Sequence, residues 1–411
     1  MAILVVSQTI IGCHDSTTSP PQSPTKTPPT KTATQSQTVT ASNAFGLSLL
    51  ANLNTSDKDS NVVISPLSVS MALGMTMNGA AGATHDSMQS VLGFSGMTDT
   101  SIDQSYLGLI NELNGLDPST AFTLANSIWY RQTFAVEPAF LNLNETYFDA
   151  AVRPLNFNDP AAAGTINAWV DSETNGKIPA IVDPPISDST MMYLINAVYF
   201  KASWVYQFDS SQTQQDPFIM QGPTTPNELV PMMYQSKTFL YYQNQSLQMV
   251  DLPYGNGNYR MTVMLPEGDI DAFVSGLNPT SWTSWINGLD SAKMWLYLPR
   301  FTVTCNFELS SALSAMGMST AFSRVKADFS GISDAPGLHI DKVNHKVYIK
   351  VGEMGTEAAA TTSVITVFPE DVVLPPPGTV EMVVNHPFVF VIRDASTGTI
   401  LFIGKVSNPL G

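Results

Sequence analysis

Cysteine is almost missing from this chain. Among 411 residues only Cys13 and Cys305 carry a thiol, too few for a disulfide framework or a cysteine-based zinc site. The five histidines show no metal-ligand spacing, and no GxxxxGK(S/T), GxGxxG or GxSxG pattern occurs. The sequence therefore predicts no metal and no cofactor. Charge is also scarce, at 13% of residues, and it is biased: 18 Lys and Arg stand against 34 Asp and Glu, a formal net charge of -16. That balance excludes a nucleic-acid surface and an anionic-membrane surface. No apolar run is long enough to span a bilayer as a helix.

What is present is 44% hydrophobic residues over a length that predicts two or three domains, or one large one. Residues 1–13 read as a targeting element. The run from Ile3 to Ile11 is too short to cross a membrane, and it ends Ile10-Ile11-Gly12-Cys13. That ending resembles the lipobox of bacterial lipoproteins, in which the cysteine is lipidated. It departs from the pattern in having no Lys or Arg before the apolar run; the alternatives to lipidation are an ordinary cleaved signal or a chance apolar N-terminus, and the linker that follows favours a tether. Residues 14–40 are rich in Ser, Thr and Pro and read as a disordered, extended linker. Folded sequence is expected from Ala41 to Gly411. The expected location is extracytoplasmic, either membrane-anchored through lipid or secreted.

The most unusual stretch is Glu353-Met-Gly-Thr-Glu-Ala-Ala-Ala-Thr-Thr-Ser363. It follows an alternating strand pattern, Lys346 to Val351, and precedes the apolar strand Pro387 to Ile392. Gly355 allows a hinge in backbone angles, and the residues after Glu357 are small enough to slide between two existing strands. Taken alone, the stretch reads equally as a flexible loop.

This stretch resembles the reactive-loop hinge of the serpins, suicide inhibitors of serine and cysteine proteases. The resemblance continues in family order elsewhere. Asn61-Val-Val-Ile-Ser65-Pro66-Leu-Ser68 reads as a capped helix start, with Pro66 at the first helical position. Further matches are Leu124 to Tyr130, Ile166 to Ile178, Leu194 to Trp204, Leu252-Pro-Tyr254, Leu298-Pro-Arg-Phe301 and Phe402 to Pro409. They cover about Ala41 to Pro409 as one domain. The resemblance implies an α+β serpin fold: a large, mostly antiparallel sheet, smaller sheets, surrounding helices and an exposed reactive loop over residues 353–384.

It also implies residue roles. Glu353, Gly355, Thr356, Glu357, Ala358, Ala359, Ala360 and Thr361 would be the hinge. Ser65, Ser68, Asn196 and His345 would be the shutter, a polar cluster under the middle of the large sheet, although His345 alone reads as a satisfied core histidine. Trp204 would mark the breach, where the hinge first enters the sheet, and plain core packing suits it too. The usual count from Glu353 puts the reactive bond at Pro369, a poor residue for most proteases. Val367, Phe368, Pro369 and Glu370 are therefore all candidates.

The implied activity is irreversible inhibition. A protease cleaves the loop and forms its acyl-enzyme, the loop enters the sheet as a strand, and the protease is trapped in covalent complex. Strand alternation would turn Thr356, Ala358, Ala360 and Thr362 inward, all of them small. The alternative is a non-inhibitory relative acting as a binding or chaperone module. The implied protein is a monomer with a protease as partner in covalent complex, no nucleic acid, and no membrane contact except a lipid anchor. A catalytic triad from Ser65, His345 and an Asp is disfavoured, because Ser65 sits at a helix start with no oxyanion-hole turn around it. If Cys13 carries lipid, Cys13→Ser should move the protein from the membrane fraction to the soluble one. An unchanged distribution on fractionation would overturn the lipobox assignment.

Overall fold

The computed structural model describes residues 33–56, 58–220, 227–356 and 375–411. Its longer helices in chain order are α1 (Ala33–Ser56), α2 (Pro66–Met77), α3 (Gly82–Val91), α4 (Asp99–Gly115), α5 (Pro138–Phe148) and α6 (Ala162–Glu173). The strands are β1 (Val62–Ile64), β2 (Ala121–Arg131), β3 (Ala150–Leu155), β4 (Met192–Ser203), β5 (Gln214–Phe218), β6 (Glu228–Gln243), β7 (Leu247–Pro253) and β8 (Tyr259–Pro266). They continue with β9 (Asp290–Pro299), β10 (Phe301–Glu308), β11 (Asn344–Gly352), β12 (Gly355–Thr356), β13 (Val380–Val383), β14 (Phe388–Asp394) and β15 (Ile400–Val406).

Two sheets result. One has nine strands in the order β1-β15-β14-β8-β7-β6-β9-β13, with β5 added to β6. The other has six strands in the order β10-β11-β12-β4-β2-β3. The stretch expected to be the hinge belongs to the six-stranded sheet, so by strand count the sheet it enters is not the larger of the two. β14 and β15 are buried at every position, so they read as continuous apolar runs rather than alternating ones.

Why α2 sits between the sheets is written in its composition. Every residue but Ala72 is buried, which is the pattern of a helix with no solvent face. It packs against β4 of one sheet and β15 of the other. Aromatic rings close the same core: Phe200 of β4 meets Tyr259 of β8 at 5.5 Å and Phe402 of β15 at 6.4 Å. The opposite face of the six-stranded sheet is covered by α6, whose Ile166 and Val170 join Trp129 and Ile195 in a second, smaller core.

Two expected boundaries move. The linker was expected to reach Thr40, but α1 begins at Ala33, and Thr38 and Val39 are buried. The segment holds one large apolar residue, so composition alone reads it as solvated. It is helical because it continues α1, which packs along α4. The expected reactive loop, 353–384, also shortens at both ends. Gly355–Thr356 is already a strand, and Val380–Val383 forms β13, paired in parallel with β9. A chain beginning at Ala41 should therefore be less stable than one beginning at Ala33 by at least about 2 kcal/mol, the scale of one buried aliphatic side chain. Denaturant melts of the two truncations check this, and equal midpoints would show that the first two turns of α1 contribute nothing.

Candidate functional site

β11 leaves the core at Gly352, turns through Glu353 and Met354, and returns as β12. The return strand has only two residues, yet it pairs on both sides: Val351 opposite Thr356 and Gly352 opposite Gly355 on β11, and Ser203 opposite Gly355 and Ala202 opposite Thr356 on β4. Gly355 has φ 148°, and a Cβ built there would lie 2.0 Å from the Ala202 carbonyl oxygen. Glycine at this position is thus required by the backbone of the neighbouring strand as well as by the turn.

The turn is held from three directions. Trp204 donates its backbone N–H to the Met354 carbonyl at 3.0 Å and its indole Nε1–H to the Gly352 carbonyl at 2.8 Å. Its ring stacks on Tyr254 at 4.2 Å, and the Tyr254 hydroxyl hydrogen-bonds the Thr356 hydroxyl. Burial holds the Tyr254 phenol well above its ordinary pKa, so it is a neutral partner. Glu353 is the third anchor. Its side chain is 1% exposed. Thr213 donates to its Oε1 at 2.8 Å, and Arg300 pairs with the same oxygen. Burial pushes the Glu353 carboxyl up, but the hydrogen bonds and the Arg300 charge outweigh it, so the group stays ionised below its usual range. Glu353 Oε2 and Arg300 Nε, both buried, have no hydrogen-bond partner among the described residues.

Below Thr356 the two flanking strands part. Among the described residues nothing pairs with the facing edges of β4 and β11 there. At the end of these strands away from Thr356 lies a cavity of about 800 Å3, with Ser68 and Leu73 of α2, Leu194 and Asn196 of β4, and Asn344 and His345 of β11 in its wall.

The four expected shutter residues do gather here, but not as one hydrogen-bonded cluster. The Ser65 backbone N–H donates to His345 Nε2 at 3.0 Å. Asn196 donates to Asn126 Oδ1 at 2.6 Å, and Asn126 donates to the Phe148 carbonyl at 2.7 Å. The Ser65 hydroxyl and Asn196 Oδ1 are buried without partners among the described residues. Ser65 occupies the N-cap of α2 with Pro66 after it, yet its side chain makes no capping bond, contrary to the role its position suggests. Since His345 Nε2 already accepts the Ser65 amide, its lone pair is not free to serve the Ser65 hydroxyl as a base. Of the four, only Ser65 and His345 bond each other, Asn196 bonds Asn126 instead, and Ser68 lines the cavity.

Trp204 lies where the hinge meets the sheet, and it is at the same time a buried core residue. Glu357 to Thr361, the reactive-bond candidates Val367 to Glu370, and Cys13 lie outside the described residues. Sequence reasoning missed Arg300, Thr213, Tyr254 and Asn126 as site residues. Arg300 and Glu353 are 53 positions apart, and only a strand crossing brings them together. Asn126 left one signal, a carboxamide inside an otherwise apolar strand. Among the described residues no group of three or more His, Cys, Asp or Glu could hold a metal ion, and no helix is long and apolar enough to cross a membrane.

Among the described residues, the site is built round a two-residue strand seated between β4 and β11. Residues 40–409 match the family model "Serpin (serine protease inhibitor)". The chain is 34% identical over 395 residues to Serpin B11 of Homo sapiens, covering 90% of this chain and 99% of that protein. It is 34% identical over 392 residues to Leukocyte elastase inhibitor A of Mus musculus, covering 91% and 100%. Among solved structures it resembles thyroxine-binding globulin in complex with thyroxine, with TM-score 0.81 and 28% identity over 91% of this chain and 99% of that one. It also resembles the thermophilic serpin Tengpin in its native state, with TM-score 0.80 and 30% identity over 92% and 95%. The chain belongs to the serpin family, and its curated relatives include protease inhibitors.

His345 makes the site sensitive to acid. Burial lowers its pKa from 6.5 to about 4, so the folded protein holds it neutral while an unfolded chain would protonate it near 6.5. Stability from this group is complete above pH 6.5 and falls as pH drops towards 4, by roughly 3 kcal/mol in all. Asp103, raised to about 6 mainly by burial, acts with the opposite sign over part of the same range. His345→Gln keeps an acceptor for the Ser65 amide and removes the titration. Its unfolding free energy should lose the decline between pH 6.5 and 4 relative to the parent, and parallel profiles would show that His345 is not the group responsible.

Proposed function

We propose that this protein is an inhibitory serpin, an irreversible suicide-substrate inhibitor of serine endopeptidases, with cysteine endopeptidases as a second admissible class. The observation that carries the reading is β12. Two residues of the hinge already lie between β4 and β11, directly above strand edges that nothing described fills. The protease's serine attacks the loop carbonyl at the reactive bond, the amine side of the loop leaves, and an ester links the protease to the new loop end. The freed segment then extends β12 downward before water reaches the ester.

The register supports this path. Continuing from Thr356 opposite Ala202 and Val351 places Ala358 between Phe200 and Ile349, and Ala360 between Val198 and Val347. Thr362 then falls between Asn196 and His345, where its hydroxyl could donate to the unpartnered Asn196 Oδ1. The same register reaches Met192, the first residue of β4, at Thr366. Ten residues of new strand, roughly 33 Å, would so fill the gap and leave the bond candidates Val367, Phe368, Pro369 and Glu370 just beyond its end. Asn196 Oδ1, without a partner among the described residues, lies on this path, and Glu353 Oε2 and Arg300 Nε, likewise without one, lie at the turn it starts from. We also propose, from the sequence of residues 1–13, that Cys13 anchors the protein to a membrane through lipid, facing an extracytoplasmic space.

Two outcomes test the inhibitory reading. A nick at 367–370 by a non-target protease should raise the thermal unfolding midpoint, because the gap fills; equal midpoints before and after nicking would count against it. Thr356→Arg puts a charge where burial without a partner costs several kcal/mol. This variant should be cleaved at the loop and release active protease. SDS-stable complex formed as efficiently as by the parent protein would overturn the assigned path.

A further inference from the structure

The cavity at the far end of β4 and β11 is large for a protein interior, at about 800 Å3, and much of its wall is apolar. That is the size of a small-molecule pocket, not of a packing defect. Val69 and Leu73 of α2, Phe134, Ile332 and Leu338 line it. Another part of the wall is the segment 181–190, which follows α6 and leads into β4. This segment is held at both ends. The Asn167 side chain of α6 accepts from the Ile181 and Val182 amides at 2.9 Å and donates to the Val182 carbonyl at 2.8 Å. Arg131 of β2 donates to the Thr190 carbonyl at 3.2 Å and to the Ser187 carbonyl at 3.1 Å. Asp183 lies between these anchors, exposed in the cavity wall, and Asp341 reaches the same wall from the segment before β11. Both carboxylates act on one phenol. The Tyr193 pKa is raised first by burial, lowered in part by a hydrogen bond with Thr190, and raised again by Asp341 and Asp183. Neither carboxylate has an ion-pair partner among the described residues. The cations of the wall are Arg324, packed along Gly337, and Lys342, while the His339 ring is bonded to the Gly337 carbonyl at 2.8 Å.

We propose that this cavity binds a hydrophobic primary amine, with its ammonium group among Asp183, Asp341 and the Tyr193 ring and its tail against Val69, Leu73 and Ile332. Each methylene moved from water into such an interior favours binding. Two carboxylates converging on one aromatic ring complement a cation, which gains from the ring face as well as from the charges. The anchored segment 181–190 presents Asp183 without needing to be ordered first, so little of the binding is lost to entropy. The amine would also regulate the protein, and this part rests on the inhibitory reading. The register that follows from β12 sets Thr362 to Thr366 beside Asn196 to Met192, and those β4 residues line the cavity. Tail and incoming strand then compete for one space. A bound amine slows insertion, and more of the inhibitor is cleaved as a plain substrate.

Decylamine, decanol and decanoate carry one tail with a positive, a neutral and a negative head, and calorimetric titration of the full chain with each, below micelle formation, reads the site. Decylamine should bind one to one and about tenfold more tightly than decanol, with decanoate weakest. Asp183→Asn combined with Asp341→Asn should abolish the preference for the amine and leave decanol binding as it was, which also shows that the variant is folded. Equal affinities of the parent for all three would overturn the site. Decanoate as the tightest ligand would overturn it too, by placing the head at Arg324 and Lys342. With a protease that the parent traps, saturating decylamine should raise the number of inhibitor molecules consumed per protease inhibited, and the double variant should not respond at the same concentration. An unchanged number with the amine bound would overturn the shared space and leave the binding site standing. Failure of the parent to trap any protease would remove the inhibitory reading, while the calorimetric result would still decide the site.

Discussion

A sheet edge is a row of hydrogen-bond donors and acceptors that wants a neighbour. In this protein two such edges, on β4 and β11, face one another, and among the described residues a two-residue strand joins them at one end. Gly355 and Thr356 fit there because the first has no Cβ to strike the Ala202 carbonyl and the second is small enough to reach Tyr254. Everything around the gap follows from that seating. Trp204 grips the turn through its backbone and indole, Arg300 and Thr213 hold Glu353, and α2 forms the floor. An open edge in the interior is costly in a finished fold.

Two buried ionic sites show how differently this fold treats its static and its poised regions. Asp251 accepts from Arg393 at 2.9 and 3.0 Å, from Arg260 at 3.1 Å and from Thr262 at 2.6 Å, so both of its oxygens are satisfied. It ties β7, β8 and β14 together in the nine-stranded sheet. Among the described residues, Glu353 has one satisfied oxygen and one that is not, and its partner Arg300 keeps a buried N–H unpaired. A buried network that is fully paired makes a structure rigid, whereas one that is partly paired leaves free energy to be gained by rearrangement. The partly paired network lies at the turn before β12, and the fully paired one in the nine-stranded sheet.

Much of the candidate site could be read from residue types alone. The small-residue run after Glu353 needs no tertiary context to be seen as chain that can enter a sheet, and Ser65-Pro66 announces a helix start wherever it falls. The polar residues of the gap wall were legible only as members of a pattern. Their pairing was not: Asn196 bonds Asn126 rather than His345, and His345 takes the Ser65 amide rather than its hydroxyl. Such choices depend on distances of a few tenths of an ångström between strands far apart in sequence. Arg300 and Tyr254 carried no local signal, because what gives each a role is a partner over 50 or 100 positions away.

The sequence by itself determined the elements, since alternation, caps and apolar runs are local: the buried helix α2, the strands that flank the hinge, and a segment without bulk between them. It also set the chemistry that could be ruled out, through the scarcity of thiols, the histidine spacing and the sign of the charge. Tertiary structure decided the rest. Whether Thr38 and Val39 belong to a linker or a helix turned on the neighbouring helix α4. Whether Val380–Val383 is loop or strand turned on β9 offering a parallel edge. That Gly355 and Thr356 form a strand turned on β4 and β11 standing far enough apart to take one between them, and a space between strands is a property of the assembled fold that no single segment encodes.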